Sequence, residues 1–247
     1  MNTYYKAILT MVTFCVSILV LYSHNVLAED KPEADLTVGF YSQYIWRGFE
    51  LSRDSVVIQP SMTVSYKGFG FNLWGNLDTK EYTTDTNNFT ETDMTLSYDG
   101  SIDKLGYGVG YIYYEVDGGK DSQEMYISAS LDTLLSPALT IYKEITGQSG
   151  FYANLGVSHS FEVAQDLGLD LGVSVGYLDD DDTYNELHDG TVSASMSFPI
   201  GDYISITPEL YYTFALSSDA KDVIKANSLT GDEESFIYGG VSASFSF

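Results

Sequence analysis

The sequence predicts an all-β protein: an antiparallel up-and-down transmembrane β-barrel of about 12 strands behind an N-terminal signal peptide. Three observations carry this. The chain opens on an export leader, its hydrophobic period is two rather than 3.6, and its connectors alternate between tight and long.

The leader comes first. Lys6 gives a short basic start, and an apolar run from Ala7 to Tyr22 follows, broken only by Thr10, Thr13 and Ser17. Val26-Leu27-Ala28 then offers the small residues of a cleavage site, with Glu29-Asp30 beyond. Residues 1–28 are read as the signal and residues 29–247 as the barrel. The single cysteine, Cys15, lies inside the signal, and Val12-Thr13-Phe14 before it is not a lipoprotein box. The mature chain is therefore expected to carry no thiol, disulfide or lipid anchor.

Twelve segments alternate apolar and polar residues. Residues 36–46 set Leu36, Val38 and Phe40 against Thr37, Gly39 and Tyr41. Residues 56–66 set Val56, Ile58, Met62, Val64 and Tyr66 against Gln59, Ser61, Thr63 and Ser65. Residues 69–78 set Phe69, Phe71, Leu73 and Leu77 against Asn72, Trp74, Asn76 and Asp78. Residues 91–98 set Met94, Leu96 and Tyr98 against Glu91, Asp93, Thr95 and Ser97. Residues 106–116 are rich in Tyr and Gly. Residues 123–132 set Met125, Ile127, Ala129 and Leu131 against Glu124, Ser128, Ser130 and Asp132. The pattern is weakest over 138–145 and resumes over 151–161 with Leu155, Val157 and Phe161. Residues 169–177 set Leu169, Leu171, Val173 and Val175 against Asp170, Gly172, Ser174 and Gly176. Residues 191–198 set Val192, Ala194, Met196 and Phe198 against Thr191 and three serines. Residues 203–214 set Ile204, Ile206, Leu210, Tyr212 and Phe214 against Ser205, Thr207, Glu209 and Thr213. Residues 236–247 close with Val241, Ala243, Phe245 and Phe247 against Ser242, Ser244 and Ser246.

Each segment approaches the roughly 9–11 residues that a tilted strand needs to cross a bilayer. Connectors after even segments are tight, as at Lys67-Gly68, 134–137 and 199–202. Those after odd segments are longer and acidic, over 80–90, 178–189 and 215–235. Both termini are then expected in the periplasm. A soluble sandwich would show the same period. The leader, polar faces of Ser, Thr, Gly and Asn with few Lys, and an aromatic at Phe247 on the last strand favour the barrel. Pro60 and Pro208 fall inside strands, where each removes a ladder donor, so a bulge or break is expected at both. Met62-Thr63-Val64-Ser65-Tyr66 and Met94-Thr95-Leu96-Ser97-Tyr98 form a faint repeat, better read as two strands under one constraint than as a duplication.

Charge narrows the partners. Lys6 leaves with the signal, so 10 basic residues face 35 acidic ones, about −25 in the mature chain. Such a surface repels nucleic acid. Expected partners are outer-membrane lipid and lipopolysaccharide, the barrel assembly machinery during biogenesis, and small solutes. No catalytic set emerges. His159 and Ser160 are adjacent, so in a strand they point to opposite faces, and His188 is read as a solvated loop residue. Asp179–Asp182 offers carboxylates but lacks the spacing of a calcium loop, so a solvated outer loop is expected. Asn88-Phe89-Thr90 is no more than a chance glycosylation match, and Gly106–Gly110 lacks the strand-to-helix context of a nucleotide loop. No metal and no cofactor is expected.

Tyr41-Ser42-Gln43-Tyr44-Ile45-Trp46-Arg47-Gly48, then Gln59-Pro60-Ser61 and Gly70-Phe71-Asn72-Leu73-Trp74-Gly75-Asn76, resemble the proteobacterial TorF-like porins, a family of conserved hypothetical proteins. Gly110-Tyr111-Ile112-Tyr113-Tyr114 and Glu124-Met125-Tyr126-Ile127-Ser128 fit as well. The resemblance covers about the first two-thirds of the chain. It implies a barrel of this length with a channel role, and the family has no established substrate or catalytic residues to carry over. Trp46 before Arg47 and the acidic loops depart from the family's usual form.

A passive channel for small solutes is therefore the expected function. A structural or surface-interaction barrel with a plugged lumen is the alternative, and a lipid-modifying enzyme comes last. The inward faces would carry Arg47, Asp78, Glu91, Asp93, Glu124, Asp170 and Glu209, with Lys80 near a mouth. Arg47 is expected near the outer end of the first strand, paired with an acid or packed on Trp46 and nearby tyrosines. Phe247 is expected to act as the assembly signal. Deleting it should lower outer-membrane levels and leave protease-sensitive protein in the periplasm, read by fractionation and immunoblot. Undiminished assembly would remove this role.

Overall fold

The computed structural model describes residues 31–247 apart from 148–149, 165–166 and 181–182. The leader and two of the four loop aspartates, Asp181 and Asp182, lie outside the described residues.

The long strands are β1 (Glu33–Tyr41), β4 (Val57–Tyr66), β5 (Phe69–Asp78), β6 (Asn88–Ile102), β7 (Leu105–Val116), β8 (Ser122–Leu131), β9 (Ala138–Glu144), β10 (Phe151–Ala164), β11 (Leu167–Asp179), β12 (Asn185–Met196), β14 (Ile204–Ala215) and β15 (Ser235–Ser246). Each pairs antiparallel with its sequence neighbours, and β1 pairs with β15 from Asp35↔Ser246 to Tyr41↔Gly240. The sheet is thereby a closed 12-strand up-and-down barrel, as the period of two predicts. A three-residue strand, β13 (Phe198–Ile200), hooks onto β14. The short hairpin β2 (Ile45–Trp46) and β3 (Phe49–Glu50) stands apart from the sheet.

The apolar faces point outward. Leu36, Val38, Phe40, Met62, Val64, Phe71, Leu73, Leu96, Ile127, Val173 and Val241 are all exposed, which in a closed barrel means facing the surroundings. The polar faces turn inward. Their burial is uneven: Asn76, Asp78, Glu91, Glu124 and Thr213 are buried near the long loops. Ser130, Ser160 and Asp170, on the same inner face near the tight turns, are exposed. The barrel is thus filled at its loop end and open at its turn end.

Both prolines sit at gaps in the ladder. β4 pairs with β5 through Ile58↔Leu77 and resumes at Ser61↔Trp74, skipping Gln59 and Pro60, while the β1 side stays continuous through Val38↔Pro60. The β12–β14 ladder ends at Ser195↔Glu209, next to Pro208, and β13 takes over from Ile206. A missing N–H is tolerated where the neighbouring strand has already let go.

Three of the boundaries that differ from the periodicity bear on the lumen. The first strand stops at Tyr41 instead of running to residue 46, and the chain turns inward. The fourth strand begins at Asn88 and the tenth at Asn185, earlier than their apolar alternation suggests. Each of these two early starts carries a bulge. In β5–β6 the register passes from Asn76↔Glu91 to Leu77↔Phe89, leaving Thr90 extra. In β11–β12 it passes from Val175↔Gly190 to Tyr177↔Leu187, so His188 and Asp189 both face Gly176. Bulges mask period two because they put consecutive residues on one face.

The last long loop holds one helix, α1 (Ser218–Asn227). Ser217 caps it, its Oγ accepting the Ala220 N–H at 3.0 Å, and Asp219 lies in the first turn. Ala220 and Ile224, one turn apart, are the buried face. Lys221 and Lys225 both grip Glu234, at 2.7 and 2.9 Å, and hold its carboxyl below the usual carboxylate range. Because that folded pKa is depressed, the contribution is present above the carboxylate range and fades as pH falls through it. Ser217→Ala is expected to weaken α1 by about 1 kcal/mol. Hydrogen exchange of the amides of 218–227 should accelerate, more so at acidic pH, with the barrel strands unchanged.

Candidate functional site

The residues after β1 build the centre of the molecule. Trp46-Arg47-Gly48-Phe49 makes a two-residue hairpin turn, with φ of 48° at Arg47 and 81° at Gly48. Positive φ at both central positions is what a type I′ turn requires, and Gly supplies it without strain. Ile45↔Glu50 and Trp46↔Phe49 pair, and the Leu51 N–H extends the ladder to the Tyr44 carbonyl at 2.9 Å. This hairpin folds into the lumen. A Cβ on Gly48 would meet Asp189 at 3.0 Å and Ile224 at 3.2 Å, so its tip touches both β12 and α1.

Arg47 is the hub. Its two guanidinium nitrogens donate to both oxygens of Glu124 on β8, at 2.7 and 2.6 Å. The guanidinium also lies over Trp46, Tyr142 and Tyr152, at 4.3, 4.6 and 4.6 Å from the ring centroids. Tyr114 donates its hydroxyl to Glu124 Oε2 at 2.9 Å, so the carboxylate is fully partnered in a site where both ions are nearly dry. A fork-on-carboxylate pair inside aromatic walls is a fixed geometry rather than a loose one.

Two further layers lock the hairpin. Tyr152 donates to Asp189 Oδ1 at 3.0 Å, and this bond runs directly over Gly176, where a Cβ would come within 2.2 Å of the Asp189 oxygen. Phe49 packs on His188 with ring centroids 4.9 Å apart, and the Tyr184 hydroxyl lies 2.7 Å from His188 Nδ1. His188 is fully buried, so its expected place in a solvated loop is corrected: the β12 bulge carries it inward. At the hairpin's base Glu50 accepts from Gln43, from Arg53 and from the Leu229 N–H, at 2.6, 2.7 and 2.8 Å. This ties the first loop to the segment after α1.

The sequence-predicted residues scatter around this hub. Arg47 is not on a strand face but at the tip of the inward hairpin, because the first strand ends at Tyr41. Glu124 is its partner. Asp78 is buried at the loop end and accepts the Lys80 N–H at 3.0 Å. Glu91 lies on β6 beside the bulge, opposite Asn76. Asp93, two residues along, stands between Trp74 and Tyr114 in the register. Glu209 sits across the barrel in a separate cluster, accepting from Tyr41 and Ser242 at 3.0 and 2.8 Å and from Tyr211. Asp170 faces the open turn end, far along β11 from the bulge. His159 packs on Phe161 on the outer face, away from Ser160. Asp180 closes a loop turn, its Oδ1 accepting the Tyr184 N–H at 2.8 Å.

Beneath the hairpin a cavity of about 420 Å³ remains, lined by aromatic rings, Asn72, Asn154, Arg47 and Asp93. The sequence placed Trp74 on the inner face and tyrosines near Arg47, but singled out neither as part of a site. Arg47-Gly48 between two aromatics was the available signal, since it is a hairpin turn in a segment read as strand.

The comparisons follow from this architecture. A family model described as a bacterial protein of unknown function, Gcw_chp, matches residues 30–184. The chain belongs to the Gcw_chp family. A comparison with curated proteins finds no match. Among solved structures, the NanC porin aligns with a TM-score of 0.56 at 11% identity, covering 86% of this chain and 98% of that one. An outer-membrane channel from Pseudomonas putida aligns at 0.49 and 9% identity, covering 90% and 100%. The likeness to NanC is one of fold, and this Gcw_chp member has the fold of an outer-membrane β-barrel.

Arg47→Ala would leave Glu124 buried without its cation, a cost on the order of 3–5 kcal/mol. The hairpin should detach, read as faster hydrogen exchange over residues 44–51 and as new protease cleavage there. Arg47→Met with Glu124→Gln should lose much less, because no charge is stranded.

Proposed function

We propose that the chain is an outer-membrane channel for the passive passage of small solutes, cations and neutral molecules before anions. The observation that carries this reading is the lumen itself. It is polar, solvent-exposed at the turn end, and leads to the cavity beneath the Arg47 hairpin, which Arg47 and Asp93 line together. Arg47 is matched by Glu124, so Asp78, Glu91, Asp93, Asp170 and Glu209 set the sign of the interior. Charge lining a narrow pore focuses potential and selects ions. The resemblance to TorF-like porins points the same way. In this reading residues 1–28 are removed by cleavage after Ala28. The turn end faces the periplasm and the long loops face outward. The apolar band meets lipid and lipopolysaccharide, and Phe247 is read by the assembly machinery. The reading contains no catalytic step and no cofactor.

A second reading is a plugged barrel with a structural or surface role. The ion pairs Arg47–Glu124 and Arg53–Glu50 favour it, because both close the loop end with charges that are costly to separate.

Refolded protein in planar bilayers separates the two. Discrete conductance steps support the channel, and their absence in well-folded protein supports the plug. Under a KCl gradient the reversal potential should show cation preference. Anion preference would overturn the charge assignment. Release of fatty acid from phospholipid or lipopolysaccharide by purified barrel would revive the enzyme.

A further inference from the structure

The cavity under the hairpin has two sides with related chemistry. On one side Glu124 and three aromatic faces hold the guanidinium of Arg47. On the other, β6 presents a second carboxylate, Asp93, in an aromatic setting. The register puts Trp74 directly opposite it on β5 and Tyr114 directly opposite on β7. Directly opposed residues on one face stand within contact of each other. Tyr44, from the segment leading into the hairpin, packs on Trp74 with ring centroids 5.6 Å apart and planes at 56°, making a corner of the same space. Asp93 Oδ1 is buried and makes no hydrogen bond among the described residues.

We propose that this side of the cavity binds a small organic cation bearing a guanidinium or alkylammonium group. A buried carboxylate oxygen is stabilised by a donor, and most strongly by a charged one. Aromatic faces attract the same cation through their quadrupoles. Arg47 shows that this chain already uses carboxylate plus aromatic faces to hold a guanidinium. Its own charge is offset by Glu124, which leaves Asp93 as the carboxyl group lining the cavity. A neutral hydroxylated solute would also stack on the rings, but it would not need the charge of Asp93. The inference gives the channel reading its class of solute, and binding can be measured without conduction.

The chain's two tryptophans, Trp46 and Trp74, both line the cavity, so intrinsic fluorescence reports on it. Refolded full-length barrel in detergent is titrated with methylguanidinium chloride, with methylurea as the uncharged shape match and NaCl as the ionic-strength reference. Methylguanidinium should give a saturable change, and methylurea and NaCl little. Asp93→Asn keeps the shape and an acceptor while removing the charge, and should weaken binding about tenfold or more. Asp170→Asn, at the open turn end, should bind as wild type. An equal response to methylurea, or undiminished binding by Asp93→Asn, overturns the proposal. The first comparison needs only wild-type protein, so it stands even if Asp93→Asn fails to fold. A barrel that binds but gives no conductance steps overturns the channel and leaves this site. A barrel that conducts but does not bind does the reverse.

Discussion

A strand in hydrocarbon has no water to take its free N–H and C=O groups, so the ladder has to close on itself. Here closure is the pairing of β1 with β15, seven residues in register from Asp35↔Ser246 to Tyr41↔Gly240. Everything else follows from it. Closure fixes which face looks outward, since a one-residue slip would turn every apolar side chain into the lumen. The pairing with β15 stops at Tyr41↔Gly240, with one more bond from the Ser42 N–H to the Gly239 carbonyl at 2.9 Å. Beyond it the chain leaves the wall and folds into the lumen.

Twelve strands enclose more space than wall side chains alone can fill. The chain fills the loop end with its own first loop and covers it with α1. Filling a lumen with backbone raises a polar problem, because hairpin groups and charges enter a dry region. The solutions are specific: a type I′ turn held by the Ile45↔Glu50 and Trp46↔Phe49 pairs, a bidentate Arg47–Glu124 pair, and Glu50 with three donors. Two bulges, at Thr90 and at His188-Asp189, add residues at the loop end, where His188 meets Phe49 of the hairpin. The turn end carries no such filling, and its serines and Asp170 stay wet. Arg47 and Asp93 face one cavity at the filled end.

Much of the wall was legible in the sequence. Period two, tight turns such as Lys67-Gly68 and the acidic long connectors reproduce 12 strands, and Phe69–Asp78 matches its strand residue for residue. Pro60 and Pro208 mark the two ladder gaps. Less was legible wherever the period fails. Residues 42–46 read as the end of the first strand, yet the wall strand stops at Tyr41 and Ile45-Trp46 pair with Phe49-Glu50 instead. His188 and Asp189 look like loop residues because a bulge breaks their alternation.

The sequence by itself determined the wall of this protein: its class, its strand number, its outward face and the excess of acids inside. Those are consequences of local periodicity and composition, which a strand expresses through its immediate neighbours. Only the tertiary structure decided the site. Arg47 meets Glu124 across 77 residues, and Trp74, Asp93 and Tyr114 come together only through the register of three strands. A side chain's partner across a lumen depends on closure and register, and no local pattern encodes that distance.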